Sequence, residues 1–126
     1  MSQFTTPLVV KKIGKQKWKL LESFEYHVKK YPSKEIIKVP AGFITDFASV
    51  PKIFQHIIKP DGKHSKADVI HDYCYVTGIY SKFKADRIFL EAMKVLHVKF
   101  WKRQVMFYAV LLFGFVAWYK HRWSGT

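Results

Sequence analysis

Hydrophobic and polar residues alternate in the first third of the chain. Residues 8–13 are mainly apolar and partly β-branched, and residues 16–28 place Trp18, Leu20 and further large apolar side chains on even positions. Such alternation is typical of a strand with one buried face. Because Gly14 separates the two segments, we predict a hairpin that is closed at this residue.

The rest of the chain shows hydrophobic residues at three- and four-residue spacing, which indicates helices. Asp68 lies three residues after Ser65, which predicts a capping box at a helix start, and Gly78 is a natural helix end. The further elements predicted in chain order are a strand over residues 35–39, a short helix from Ser49 or Val50 to Ile58, and helices over 65–77, from Ser81 or Lys82 to about 97, and over 100–120.

These elements predict an α+β protein, with a small N-terminal antiparallel sheet followed by three or four helices. The 126 residues suffice for one domain with one core, so we expect a single domain over residues 1–126, with a β-rich part (1–40) and a helical part (41–126). The short connection after Gly78 predicts that the helices on either side form an antiparallel hairpin.

Charge and composition narrow the classes of protein and partner. The chain has 22 Lys and Arg against 9 Asp and Glu, and its net charge of +13 favours an anionic partner such as nucleic acid, lipid headgroups or an acidic protein. It has no nucleic-acid-binding motif. A hydrophobic content of 49% excludes disorder, and the single cysteine, Cys74, excludes an intrachain disulfide.

An apolar run over residues 105–119 is shorter than the roughly 20 residues that span a bilayer, so we expect no transmembrane span. A helix that is apolar on all sides is usually central to a core. Trp118, Tyr119 and Trp123 leave contact with a membrane or another subunit as the alternative. Residues 1–7 lack the pattern of a signal peptide, and none is expected.

The candidate chemistry lies on the helical hairpin. His71 lies on the apolar face of its helix, whereas Asp72 lies 100° further round the helix axis. On the next helix Asp86 is expected opposite Tyr75, about one turn from His71. We therefore predict that Asp86 accepts a hydrogen bond from Nδ1 of His71 and leaves Nε2 as a general base.

A hard cation would complete this site. Asp72 would bind the ion, with Asp46 and carbonyl groups of residues 42–47 as further oxygen ligands. The ion would polarise an ester carbonyl or phosphoryl oxygen while His71 activates water.

Each candidate also has a structural interpretation. His71 would be a core histidine, Asp86 would pair with Lys82 or Arg87, and Asp46 would form an Asx-turn or helix cap. A further alternative is a metal phosphohydrolase that uses His71 and Asp72 with one of two other histidines, His56 or His64. It lacks a strong metal-ligand spacing.

Three segments resemble an uncharacterised family common in phages and prophages, the domain of unknown function thirteen fifty-three. They are residues 40–51 (PAGFITDFASVP), 67–75 (ADVIHDYCY) and 85–93 (ADRIFLEAM). The resemblance implies a phage origin without an established activity. Phage structural proteins would then be partners, and the virion or the host cytoplasm the location.

The run HDYCY at residues 71–75 also resembles the active-site helix of secreted phospholipase A(2). The resemblance implies that His71 activates water, that Asp72 binds calcium and that Asp86 orients His71. The sequence departs from that family because it lacks the glycine- and cysteine-rich calcium loop, for which residues 42–46 would have to substitute. It also lacks the disulfide framework, and the N-terminal sheet has no counterpart there.

Two functions remain. One is a calcium-dependent hydrolase of the phospholipase type that acts on host envelope lipid. The other is a non-enzymatic phage structural or accessory protein, such as a virion or tail component, that binds an anionic or protein partner. An oligomer is compatible with either function. The enzyme requires Nε2 of His71 to face a cleft and Asp86 to reach Nδ1.

Overall fold

The computed structural model describes residues 3–14, 17–45 and 64–123. The chain divides into two compact units, residues 1–47 and residues 48–126. In the described ranges, the first unit contains the strands and the second the helices, which confirms the α+β fold class. The single-domain organisation stays a prediction. Asp46, His56 and the helix predicted to end at Ile58 lie outside the described residues.

The strand unit holds two antiparallel sheets among its described residues. The first has the order β1-β2-β5, and the second pairs β3 with β4. Gly14 pairs with Lys17, so the predicted hairpin between the first two strands is present. The strands are β1 (Val10–Gly14), β2 (Lys17–Leu20), β3 (Phe24–His27), β4 (Ile36–Val39) and β5 (Ile44–Thr45).

The prediction of one strand over residues 16–28 was wrong. β2 ends at Leu20 and pairs with β1 and β5, whereas β3 begins at Phe24 in the other sheet. Residues 21–23 between them are all exposed, so the buried face is interrupted where Glu22 breaks the apolar alternation. Leu20 and Phe24 are both buried, which keeps the even positions apolar across the break.

Alternating positions of the strands provide the buried side chains of this unit. The ring of Phe4 lies 5.5 Å from that of Phe24 and 4.5 Å from that of Tyr26. Offset aromatic contacts of this kind add to the stabilisation from burial. The buried apolar residues of the unit are Phe4, Leu20, Phe24, Tyr26, Val28, Ile37 and Val39.

The helical unit has four helices among its described residues. α1 and α2 form the predicted hairpin, α3 packs against α2, and α4 contacts both α1 and α3. Small and apolar side chains such as Ala67, Ala85 and Ala92 are fully buried and allow the helices to approach closely. The helices are α1 (Ser65–Thr77), α2 (Lys82–Val95), α3 (Phe100–Phe113) and α4 (Phe115–Trp123).

Local signals set the turn between α1 and α2 as predicted. Gly78 adopts a left-handed conformation (φ 65°) and donates its N–H to the carbonyl of Cys74. The side-chain oxygen of Ser81 accepts a hydrogen bond from the backbone N–H of Lys84 and caps α2. Both are common helix-end arrangements, and they fix the short connection between the two helices.

The predicted capping box at the start of α1 is absent. The N-cap is His64, whose side chain makes no capping hydrogen bond, and Ser65 is already the first helical residue. The Asp68 carboxylate lies 2.6 Å from Nδ1 of His64 instead. Asp68 therefore contacts the side chain of the N-cap residue and does not form part of a capping box.

The predicted helix over residues 100–120 is broken at Gly114. α3 and α4 meet there at an angle of 49°, and the Gly114 N–H donates to the carbonyl of Val110. In residues 3–14, 17–45 and 64–123 no single helix is long and apolar enough to cross a membrane. The bent pair formed by α3 and most of α4 meets that length and composition only when the two are taken together.

Candidate functional site

Four polar side chains meet on the facing sides of α1 and α2. His71 and Tyr75 are one turn apart on α1, and Lys82 and Asp86 are one turn apart on α2. Residues four apart lie on the same face of a helix, so each pair points as a unit. The short connection at Gly78 then brings the two pairs together.

Asp86 is the centre of this group. Its Oδ1 lies 2.8 Å from Nε2 of His71 and accepts a hydrogen bond of 2.6 Å from the Tyr75 hydroxyl. Its Oδ2 accepts a hydrogen bond of 2.7 Å from Nζ of Lys82. The Asp86 side chain is completely buried, so these three contacts replace the water that a carboxylate would otherwise bind.

Lys82 links the group to the break between α3 and α4. Its Nζ also donates to the carbonyl oxygens of Val110 (3.0 Å) and Leu111 (3.1 Å) in the last turn of α3. A cation is favourable at a helix C-terminus, where carbonyl groups lack helical partners. The ring of Phe115, the first residue of α4, lies 4.5 Å from the same Nζ.

Aromatic rings enclose the imidazole of His71. The ring lies 4.2 Å from that of Tyr75 and 4.6 Å from that of Phe89, and only 4% of the residue is exposed. The Trp118 ring packs edge-on against Tyr75 at 5.3 Å. Arg122 donates to the Tyr75 carbonyl at 2.7 Å, so α4 is held against the C-terminal end of α1.

The contacts of Asp86 determine the protonation states around it. Burial acts to raise the pKa of Asp86, but hydrogen bonds from His71, Lys82 and Tyr75 outweigh it and leave the pKa below its ordinary value. Burial, and then the hydrogen bond to Asp86, raise the pKa of the Tyr75 hydroxyl. Asp86 is therefore an anion near neutral pH, and Tyr75 stays a protonated donor.

The predicted contact between His71 and Asp86 is present, but the predicted nitrogen was wrong. Asp86 faces Nε2, not Nδ1. Nε2 is the ring nitrogen further from the backbone, so it is the one that reaches across to a neighbouring helix. Nε2 is thus not open to a cleft, and any base function of His71 falls to Nδ1.

The metal ligands proposed from the sequence are not brought together in the described part of the chain. Asp72 follows His71 on α1 and is half-buried, whereas Asp46 is outside the described residues. Residues 3–14, 17–45 and 64–123 contain no group of three His, Cys, Asp or Glu side chains that could hold a metal ion. These residues alone therefore do not amount to a calcium site.

Lys82 and Tyr75 both bind Asp86, a role in the site that was not predicted from the sequence. Pairing of Asp86 with Lys82 or Arg87 was the alternative to a site with His71, but Asp86 has two oxygens and binds both His71 and Lys82. Tyr75 was expected opposite Asp86 but was given no role in the site. The sequence feature that indicates both roles is the four-residue spacing of His71 with Tyr75 and of Lys82 with Asp86 on adjacent helices.

A second histidine–carboxylate pair lies at the start of α1. Nδ1 of His64 is 2.6 Å from Oδ2 of Asp68, and both residues are buried. Asp68 therefore pairs locally. Among the described residues no metal cluster supports the phosphohydrolase alternative.

We expect Gly114→Ala to destabilise the protein by about 1–3 kcal/mol, because a Cβ there would overlap the carbonyl oxygen of Val110 and lie 2.6 Å from the Tyr75 hydroxyl oxygen, which it would push from Asp86. Thermal unfolding followed by circular dichroism measures the change. Gly14→Ala is the control, since its nearest neighbour would be the Lys17 Cβ at 3.9 Å. Equal loss of stability in both variants would contradict the steric explanation.

Comparisons with known proteins place the network inside a described family. Neither a curated protein nor a solved structure gives a significant match to the chain. A family model described as "Protein of unknown function (DUF1353)" matches residues 18–110. The match includes His71, Tyr75, Lys82 and Asp86, and it covers well over half of the 126 residues. The chain therefore belongs to the DUF1353 family of proteins of unknown function.

Proposed function

We propose that this chain is a hydrolase of the phospholipase type, in which His71 activates water to attack a carboxylic ester of a phospholipid. The observation that supports the proposal is the His71–Asp86 pair, with Asp86 held by Tyr75 and Lys82. A carboxylate on one ring nitrogen fixes the orientation and tautomer of a histidine and makes the other nitrogen a base.

The reaction follows from that assignment. Nδ1 of His71 takes a proton from water as the water oxygen bonds to the ester carbonyl carbon. The resulting imidazolium is stabilised at Nε2 by the ionised carboxylate of Asp86. The bond from the carbonyl carbon to the ester oxygen then breaks, and the departing alkoxide takes the proton from Nδ1. The products are a fatty acid and a lysophospholipid.

Tyr75 and Lys82 are positioning residues in this proposal. Their hydrogen bonds lower the pKa of Asp86 and hold it as the anion that the imidazolium requires. Both donors reach Asp86 from fixed helix positions, and Lys82 is held a second time by the carbonyls of α3. The carboxylate therefore needs no rearrangement when His71 becomes charged.

Calcium is proposed as a cofactor, with Asp72 as a ligand and Asp46 as a second. A bound ion would polarise the ester carbonyl. We expect calcium to raise the melting temperature of the wild type by mass action and to raise it much less in Asp72→Asn. Differential scanning fluorimetry with calcium and with magnesium measures both shifts. Equal shifts in the two proteins would remove Asp72 from calcium binding.

The direct test is hydrolysis of phosphatidylglycerol vesicles by the purified chain with calcium. Mass spectrometry should detect equal amounts of free fatty acid and lysophosphatidylglycerol. Vesicles of the corresponding diether lipid, which has no carboxylic ester, are the matched control. Absence of both products from the ester vesicles, with a folded protein, would overturn the proposal.

The second candidate is a non-enzymatic phage structural or accessory protein, located in the virion or the host cytoplasm. Burial favours it, because His71 is only 4% exposed and Asp86 is completely enclosed. In that case the network joins α1, α2 and α3 and performs no chemistry. An inactive wild type that loses stability when Asp86 is replaced would favour this candidate.

A further inference from the structure

We propose that the outer face of α3 and α4 binds the surface of an anionic phospholipid bilayer and lies among its headgroups. This surface adjoins the site around Asp86 at Phe115, whose ring lies 4.5 Å from Nζ of Lys82. Its binding requires no ester chemistry, so the inference stands whether or not the chain is a hydrolase. We call the surface the apolar stripe, and it consists of Trp101, Tyr108, Leu112, Phe115, Val116 and Tyr119.

The apolar stripe is exposed although its side chains are large. Leu112 is 62% exposed and Val116 is 80% exposed. Trp101, Tyr108 and Leu112 are separated by seven and four residues, so they share one face of α3. On α4, Phe115 and Tyr119 are four residues apart and stack at 6.0 Å. An exposed apolar surface of this extent marks an interaction site.

The charges around the stripe select an anionic partner. Lys99 lies at its start and Lys120 at its end, and both are exposed. No acidic residue follows Glu91 in the sequence. A second copy of the chain, placed stripe to stripe, would bring these basic groups together without a counter-charge, which is unfavourable. Anionic headgroups provide the missing charge.

The aromatic residues and the bend favour a lipid surface. Trp and Tyr side chains suit the headgroup region because one end is apolar and the other is polar. Trp101 is near the start of the stripe and Tyr119 at its end. α3 and α4 meet at 49° and neither crosses a membrane by length, so the pair is suited to lie along the surface.

The interior of the helical unit fixes the shape of the stripe. The bend separates Leu112 from Phe115, and Lys82 holds the carbonyls of Val110 and Leu111 beside it. Asp86 in turn holds Lys82. The stripe is therefore presented on a helix pair whose angle is set by buried polar contacts.

Sedimentation with diether phosphatidylglycerol and diether phosphatidylcholine vesicles tests the proposal without any hydrolysis. The wild type should bind the anionic vesicles, bind the zwitterionic ones at least about tenfold less, and be released by high salt. The double variant Leu112→Asn, Val116→Asn should bind the anionic vesicles at least about tenfold more weakly, because it removes apolar area that the lipid would bury.

The matched control is Ile36→Asn with Ile79→Asn, which removes two other exposed aliphatic side chains, 46% and 49% exposed, outside the stripe. Its binding should equal that of the wild type. Equal binding by the stripe variant, no preference for anionic vesicles, or no binding by the wild type would overturn the proposal. So would a wild-type dimer that the stripe variant dissociates without any change in vesicle binding.

Discussion

Asp86→Ala is expected to lower the free energy of unfolding by about 3–5 kcal/mol, the usual cost of removing one partner from a buried charged group. The alanine would leave Nζ of Lys82 without its carboxylate and the Tyr75 hydroxyl without its acceptor. Lys82 is only 9% exposed, so water would not readily replace the carboxylate. It would also leave a cavity between α1 and α2. Urea unfolding followed by circular dichroism at neutral pH measures the loss.

A double variant separates the charge from the cavity. Asp86→Leu with Lys82→Met fills the space with apolar side chains and leaves neither charge unpaired. We expect it to recover part of the stability that Asp86→Ala loses, since well-packed apolar replacements of buried ion pairs are often neutral, whereas the Tyr75 hydroxyl and Nε2 of His71 still lack the Asp86 acceptor. A double variant as unstable as Asp86→Ala would show that packing, and not the unpaired lysine, accounts for the loss.

The pH dependence of stability gives an independent check on Asp86. The pKa of Asp86 is lowered in the folded protein. Its contribution to the free energy of unfolding is therefore complete at pH values above 3.8, the ordinary pKa of the carboxyl group, and is lost as the pH falls towards the lower pKa of the folded state. Asp86→Asn removes this titration and should show a smaller loss of stability between neutral and acidic pH than the wild type. Parallel curves for the two proteins would contradict the assignment.

Local signals account for what the sequence predicted correctly. The left-handed Gly78 and the Ser81 cap are backbone effects of single residues, so they fix the α1–α2 hairpin without any long-range information. The three- and four-residue spacing then placed His71 on the face towards α2. The His71–Asp86 contact followed from these signals, and the fold class followed from them together with the alternation in the N-terminal third.

What the sequence did not reveal depends on distant contacts. The break at Gly114 arises where the Tyr75 hydroxyl and the carbonyl of Val110 occupy the space that a Cβ would need. The choice of Nε2 over Nδ1 depends on the distance between two helices, which no local pattern encodes. Lys82 has two roles because α3 ends beside it, 28 residues along the chain.

The division of residues 16–28 between two sheets has the same origin. Leu20 donates its N–H to Phe43 and accepts from Gly42, so the strand end is set by a segment more than twenty residues later. Alternation on both sides of Glu22 resembles one continuous strand when only neighbours are compared. Pairing with β5 decides where β2 ends.

His71→Gln is expected to lower the rate of phosphatidylglycerol hydrolysis by about 10²- to 10⁴-fold, the usual contribution of a general base. Glutamine can place an N–H near the position of Nε2 and keep a contact with Asp86, but it has no basic nitrogen in place of Nδ1. The fold should therefore suffer less than the chemistry. Initial rates at saturating lipid, with melting temperatures of the same samples, separate the two effects.

His97→Asn is the control for loss of an imidazole. His97 is exposed and has φ of 60°, a conformation that asparagine tolerates, so the activity of His97→Asn should equal that of the wild type.

Tyr75→Phe keeps the ring against His71 and removes only the hydroxyl donor to Asp86, so we expect a smaller loss of hydrolysis rate than in His71→Gln, about tenfold. Because that hydroxyl acts through Asp86 on the charged imidazole, the loss should appear in kcat with KM unchanged. A His71→Gln variant that is folded and fully active would exclude His71 as the base and leave the network around Asp86 a structural one.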